Sequence, residues 1–212
     1  MDTEPPEEDH EKIAQRVRLL AGCACLNSVS LGFQVGAVSA AVPLIQDTFN
    51  LNSFQLEVYE ALLSASAIFG TVVAALVSEP VGRLRAFQIA ALFFIVGSLL
   101  QAFAMNYEMM CVGICVVGSG VGFGLSVDPI YIAEISPAGG RGYFVTWSEI
   151  AIAGGQTLGF AAGLVVESVL SGWTGSWRVI IGCGILTPCA LLVAVAFVMP
   201  ESPRWLAIHG RE

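Results

Sequence analysis

Charge is scarce in this sequence. Only 12% of its 212 residues are Asp, Glu, Lys or Arg, against roughly 25% in ordinary soluble domains. Nine Lys and Arg face 17 Asp and Glu, for a net charge of −8. No basic field exists to neutralise phosphates, which excludes nucleic acid as a partner. Histidine occurs twice. With two peripheral histidines and scattered acids, no nucleophile–base set, metal-ligand cluster or catalytic dyad can be assembled. An enzyme is therefore a poor reading, and neither a metal nor a cofactor is expected. The six cysteines (Cys23, Cys25, Cys111, Cys115, Cys183 and Cys189) lack zinc-type spacing backed by His. They lie in or beside apolar stretches and read as small packing residues rather than a disulfide framework.

Apolar residues fill the space that charge leaves. Hydrophobic residues make up 56% of the chain, too many for the polar surface available to wrap a soluble core. Six stretches carry no charge: 19–46, 61–78, 86–107, 109–127, 150–166 and 179–200. A bilayer core about 30 Å thick takes roughly 20 apolar residues of helix. Barrel strands would need short segments of alternating polarity, which runs such as 90–97 and 189–198 do not show. The expected fold is therefore an all-α membrane protein. Its six transmembrane helices fall at about 19–46, 58–78, 86–106, 109–134, 147–168 and 178–199. Residues 1–18, with six acids, are expected to form a solvated, disordered cytoplasmic tail rather than a signal peptide.

Orientation follows from the cations. Lys12, Arg16, Arg18, Arg83, Arg85, Arg141, Arg204 and Arg211 fall on one side of a six-span zigzag, and only Arg178 on the other. The positive-inside rule then places both termini in the cytoplasm. The plasma membrane is the expected location, with an organelle membrane as the alternative.

Two spans share a pattern. Gly32, Gly36 and Pro43 repeat as Gly118, Gly122 and Pro129 with the same spacing, in helices that cross in opposite directions. A 3+3 inverted repeat leaves such a trace, and so does chance in Gly- and Pro-bearing membrane helices. The glycines of 118–124 imitate a nucleotide-binding loop. Their membrane-helix flanks make them small-x-x-x-small packing pairs instead.

Ionisable residues at membrane depth are costly and usually face a cavity. Asp128 stands against Pro129 in span four, Glu134 lies near the end of that helix, and Glu149 and Glu167 bracket the uncharged stretch of span five. Glu167 reads as an interfacial surface acid. Gln156 follows Glu149 by two helical turns, on the same face. A carboxylate and an amide stacked this way can accept from and donate to several hydroxyls at once, which suits a polyhydroxylated solute. A helix–helix hydrogen-bonded pair is the alternative. Gln34 is a third amide at depth, and Phe33 and Trp147 could offer apolar faces to a sugar ring or simply pack. On the cytoplasmic side, Glu79, Arg83, Arg85, Glu134, Arg141, Glu201 and Arg204 form clusters of opposite sign that could latch helix ends together in one conformational state.

Several of these residues sit in longer motifs. The run Pro129-Ile-Tyr-Ile-Ala-Glu-Ile-Ser-Pro137 followed by Arg141-Gly142 resembles the signature after helix four of the sugar porter family, in the major facilitator superfamily. The run Pro200-Glu-Ser-Pro-Arg-Trp-Leu206 resembles its signature after helix six, and Trp177-Arg178 the start of that helix. The stretch around Ser148-Glu149-Ile150 and the Gly-rich helix after it is similar to polyol and monosaccharide proton symporters. The resemblance implies half of a major facilitator fold, with residues 201–212 opening the central cytoplasmic loop. It implies solute contacts at Gln156 and at Glu149, a position usually held by Gln. It also matches Gly32–Gly36 to the helix-one motif, where Gln34 replaces an Asp of proton-coupled members, and places Ile114 where the family has that Asp's Arg partner. In the loop between helices two and three, Glu79 replaces an Asp and Leu84 an Arg.

The departures set the alternatives. A neutral amide and an Ile cannot run a protonation switch. Either the protein is a facilitator, the favoured reading, or coupling has moved to Glu149 or Asp128. The family has twelve helices, so the expected partners are a sugar or polyol solute, membrane lipid and a second six-helix half. That half would come from the same gene, another chain or a second copy. The rival reading is a non-transporting sugar sensor or degenerate membrane interaction protein.

Overall fold

The computed structural model describes residues 7–137, 139–170, 173 and 175–210. Among them the chain is helical throughout: α1 (Glu7–Phe49), α2 (Ser53–Val81), α3 (Arg83–Ala102), α4 (Tyr107–Ile135), α5 (Arg141–Val169), α6 (Ser176–Cys183), α7 (Leu186–Phe197) and α8 (Pro203–Ile208). Six segments are long and apolar enough to cross a membrane, the sixth formed by α6 and α7 together.

Local chemistry sets the helix ends. Asn52 and Gln55 form a reciprocal capping box at the start of α2, with Gln55 N–H donating to Asn52 Oδ1 at 2.8 Å and Asn52 N–H to Gln55 Oε1 at 3.0 Å. Asn106 caps α4 by accepting from Met109 N–H at 3.1 Å. Both satisfy donors that a helix start leaves free. At the other end of the bundle Gly82 turns the chain from α2 into α3 at φ +99°, a conformation L side chains rarely adopt.

Two features differ from the sequence reading. The acidic leader is helical from Glu7, continuous with span one, while residues 1–6 lie outside the described region. The sixth span is broken between Cys183 and Leu186. Pro188 has no N–H for the Gly184 carbonyl four residues earlier, and its ring crowds that carbonyl.

Glycines determine how the long helices meet. Side chains at Gly32 and Gly36 of α1 would strike the α5 backbone at Ile152 and Gln156, and side chains at Gly155 and Gly159 of α5 would strike α1 at Val29, Phe33 and Ala37. Likewise, side chains at Gly118 and Gly122 of α4 would strike α2 at Leu63, Ser66, Ala67 and Thr71, and one at Gly70 would strike Ser119. Backbones approach this closely only where no Cβ intervenes. Exchanging the first three spans with the last three maps α1 onto α4 and α5 onto α2. The two repeated motifs thus serve corresponding seams, as a 3+3 arrangement requires.

Two of the core's apolar clusters lie toward opposite ends of the bundle. One, at the arginine-bearing end, includes Phe87, Tyr131, Ile132 and Leu191. The other, at the opposite end, includes Ile45, Tyr59, Met110, Ile114 and Trp177. α1 and α4 are well buried, whereas α2 and α5 leave most of their apolar windows open.

Candidate functional site

The α1-facing stripe of α5 runs through Ser148, Gly155, Gly159 and Gly163, all buried. On an α-helix, Glu149 and Gln156 both project from one flank of that stripe. Gln156 is half-buried at the seam's edge and Glu149 is exposed. An acceptor carboxylate and a donor–acceptor amide thus stand two turns apart beside the α1–α5 seam, a set able to hold several hydroxyls.

The other two expected solute contacts sit elsewhere. Phe33 is 7% exposed and packs with Ala37 and Ile180. Gln34 is fully enclosed, and its amide donates to Ser98 Oγ of α3 at 2.7 Å and to the Gly184 carbonyl at 3.3 Å. Of the four candidates, only Glu149 and Gln156 meet open space in this structure. Trp147 stacks edge-on with Tyr143 and Phe144, at 5.6 and 5.4 Å between ring centres. Glu167 is exposed near the end of α5.

Asp128 is buried between α4 and α1. Its carboxylate accepts from Asn27 Nδ2 at 2.7 Å and from Ser28 Oγ at 2.5 Å. Sequence reasoning found the acid and missed both partners. The available signal was the polar run Asn27-Ser28-Val29-Ser30 inside an apolar span. Gly124, one turn before Asp128, leaves room for the Asn27 amide.

The charge cluster assembles in part. Arg83 grips Glu134 through two parallel bonds, Nε to Oε2 at 3.1 Å and Nη2 to Oε1 at 2.9 Å. Its Nη1 donates to the Ser78 carbonyl at 2.8 Å. Glu201 accepts from the backbone N–H groups of Arg83 at 2.9 Å and Leu84 at 3.3 Å, an acid on the positive end of α3. Trp205 Nε1 donates to the Glu79 carbonyl at 2.6 Å, and Tyr131 Oη to the Pro200 carbonyl at 3.0 Å. Three helix ends are thereby joined to the segment after span six. The side chains of Glu79, Arg85, Arg141 and Arg204 are exposed and make no ion pair among the described residues. Sequence reasoning did not foresee the Tyr131 and Trp205 ties.

Residues 20–212 match the family described as "Sugar (and other) transporter". The chain belongs to the sugar transporter family. This is a family of transporters rather than enzymes, and its members are multi-pass membrane proteins. The chain is 36% identical to probable polyol transporter 4 of Arabidopsis thaliana over 221 aligned residues, which cover all of this chain and 41% of the relative. It is 32% identical to myo-inositol transporter 1 of Cryptococcus neoformans, covering 96% of this chain and 35% of the relative. The chain therefore spans about two fifths of the length of such relatives. The xylose transporter XylE of E. coli in its inward-open conformation superposes with a TM-score of 0.84 at 24% identity, covering 92% of this chain and 51% of XylE. The XylE complex with 6-bromo-6-deoxy-D-glucose gives 0.86 at 24% identity, with 93% and 48% covered. These six spans thus have the fold of half a major facilitator protein.

Proposed function

We propose that this bundle carries a sugar or polyol across the membrane by alternating access, as the N-terminal half of a twelve-helix carrier. The solute is held at the α5 flank bearing Glu149 and Gln156. That pairing carries the reading: an exposed carboxylate and a half-buried amide stand on one flank of a helix whose adjoining glycine seam packs closely on α1. The polyol and inositol names of the relatives support the solute class.

The open faces of α2 and α5 support a second six-helix bundle as partner, from the same gene, another chain or a second copy. Ile68, Phe69, Val72 and Leu76 on α2 and Leu158 and Leu164 on α5 are exposed. A rocker-type carrier needs two bundles moving around a central site. The Arg83–Glu134 pair and the Glu201 cap would hold the arginine-bearing ends together in one state and release them in the other. That end faces the cytoplasm by the positive-inside rule, with both termini there and the plasma membrane as the host. Gln34 and Ile114 cannot exchange a proton, so the helix-one position itself supplies no proton coupling.

The test is uptake of labelled hexoses and polyols by the full-length gene product in proteoliposomes. Saturable flux that unlabelled polyol competes away is expected. Absence of any saturable flux overturns the reading and favours a sensor or interaction role.

A further inference from the structure

Asp128 belongs to neither the α5 flank nor the charge cluster. It is 2% exposed and ties α4 to α1 through Asn27 and Ser28. Both donors are neutral, and no Lys or Arg pairs with Asp128 among the described residues. On α1 the titratable group facing it is the Cys25 thiol, which lies beside Ser148 of α5. Glu149, the neighbouring acid on α5, is exposed.

One pure acceptor in this pocket is vacant. Asn27 Oδ1 is buried without a hydrogen-bond partner. An ionised carboxylate offers it no proton, whereas a carboxylic acid has an O–H that must find an acceptor. The Asn27 amide already donates to one Asp128 oxygen. In a cyclic acid–amide pair, the O–H on the other oxygen would meet the vacant Asn27 Oδ1. The site is thus matched to two protonation states, one held by Ser28 and Asn27 together and one closed by the acid–amide ring. Buried charge without a cation is costly at membrane depth, so the neutral state has a physical reason to exist. Pro129 follows directly and leaves the Leu125 carbonyl without its helical donor, so α4 lacks one backbone bond beside the acid.

We propose that Asp128 exchanges protons with the medium, and that this exchange switches the α1–α4 tie between two arrangements and couples the carrier to a proton gradient. This rests on the transport reading for its consequence, though not for the protonation itself. The step is simple addition: a proton from water binds the carboxylate and is later released to water, with no other bond made or broken. Coupling would then have moved from the helix-one position, where Gln34 cannot titrate, to helix four.

Infrared difference spectroscopy on the purified chain in nanodiscs, stepped in pH, tests the protonation. A carboxylic-acid carbonyl band should grow as pH falls and vanish in Asp128→Asn. In Ser28→Ala, which keeps the acid and removes one donor, the band should shift in frequency. The Ser28 variant decides the matter if Asp128→Asn does not fold. A band that persists in Asp128→Asn, no band at all, a band unmoved by Ser28→Ala, or a change driven by sodium rather than by pH each overturns the proposal. In proteoliposomes of the full-length gene product, a one-unit inward pH gradient should support about ten-fold solute accumulation at one proton per solute, the equivalent of about 1.4 kcal/mol. Asp128→Asn should accumulate none. Solute flux with no titrating band defeats this proposal alone. A titrating band with no solute flux defeats the transport reading alone.

Discussion

The Gln34 amide donates at 3.3 Å to the Gly184 carbonyl, the acceptor that Pro188 leaves without a helical donor. A residue of span one thus completes the backbone of span six where that span breaks. Its second bond, to Ser98 at 2.7 Å, ties in α3. Gln34 occupies the motif position that resembles a proton site, and here it works as a structural donor.

Replacing Gln34 with Ala should destabilise the bundle by about 2 kcal/mol, because two buried acceptors lose their donor. Gln34→Glu is nearly the same size but, when ionised, turns an acceptor toward the Gly184 carbonyl, and should cost at least as much. Thermal unfolding in detergent micelles checks both. A Gln34→Ala protein as stable as the parent would show that the contact carries no weight.

The α1–α5 seam predicts a sharp size limit. A side chain at Gly36 meets the backbone of Gln156 itself, so neither partner can swing away. Gly36→Val should cost about 1–3 kcal/mol through overpacking. It should also weaken solute binding, since it pushes on the helix carrying Gln156. Gly154→Ala, where nothing lies within 4 Å, should be neutral or stabilising by up to about 1 kcal/mol from helix propensity.

Arginines at one end of the bundle should differ greatly in effect. The Arg83–Glu134 pair is 12% and 6% exposed, so Arg83→Gln leaves a poorly solvated carboxylate and should cost about 3 kcal/mol. Arg85→Gln, at an exposed side chain without an ion pair, should stay within about 0.5 kcal/mol. A double-mutant cycle with Glu134→Gln should show strong coupling to Arg83 and none to Arg85.

For the solute, Glu149→Ala should raise the half-saturation concentration by about ten-fold or more, the loss expected for a charged hydrogen-bond acceptor. Glu167→Ala, an exposed acid near the far end of the same helix, should change it less than two-fold, about the ±0.5 kcal/mol of an ordinary surface substitution. Equal effects in uptake kinetics would remove Glu149 from the site.

Charge gaps and hydropathy were enough to read six spans, because lipid permits few alternatives to a continuous helix. The repeated Gly-x-x-x-Gly pattern also pointed to close helix contact, which the structure shows at two corresponding seams. Two other features were illegible for physical reasons. Phe33 and Gln34 look like cavity residues in a linear motif, but burial depends on which side of α1 meets α3 and the broken sixth span. Sequence spacing does not fix that choice. Nor could Asn27 and Ser28 be paired with Asp128, since about 100 residues separate them and only the packing of α1 against α4 brings them together. The break in span six was readable in principle from Gly184 and Pro188, but a membrane helix often absorbs a proline without breaking.

Arg178, the one cation on the opposite side of the zigzag, donates from both terminal nitrogens to the carbonyls of Ala102 and Ala104 at 2.8 and 2.7 Å, and its guanidinium lies 4.5 Å from the Trp177 ring centre. It seals the C-terminal end of α3. An arginine engaged in that way is a structural plug in the finished protein rather than a marker of sidedness. The one exception to the charge asymmetry is thus a cation that the end of α3 needs for its own carbonyls, whatever the sidedness of the bundle.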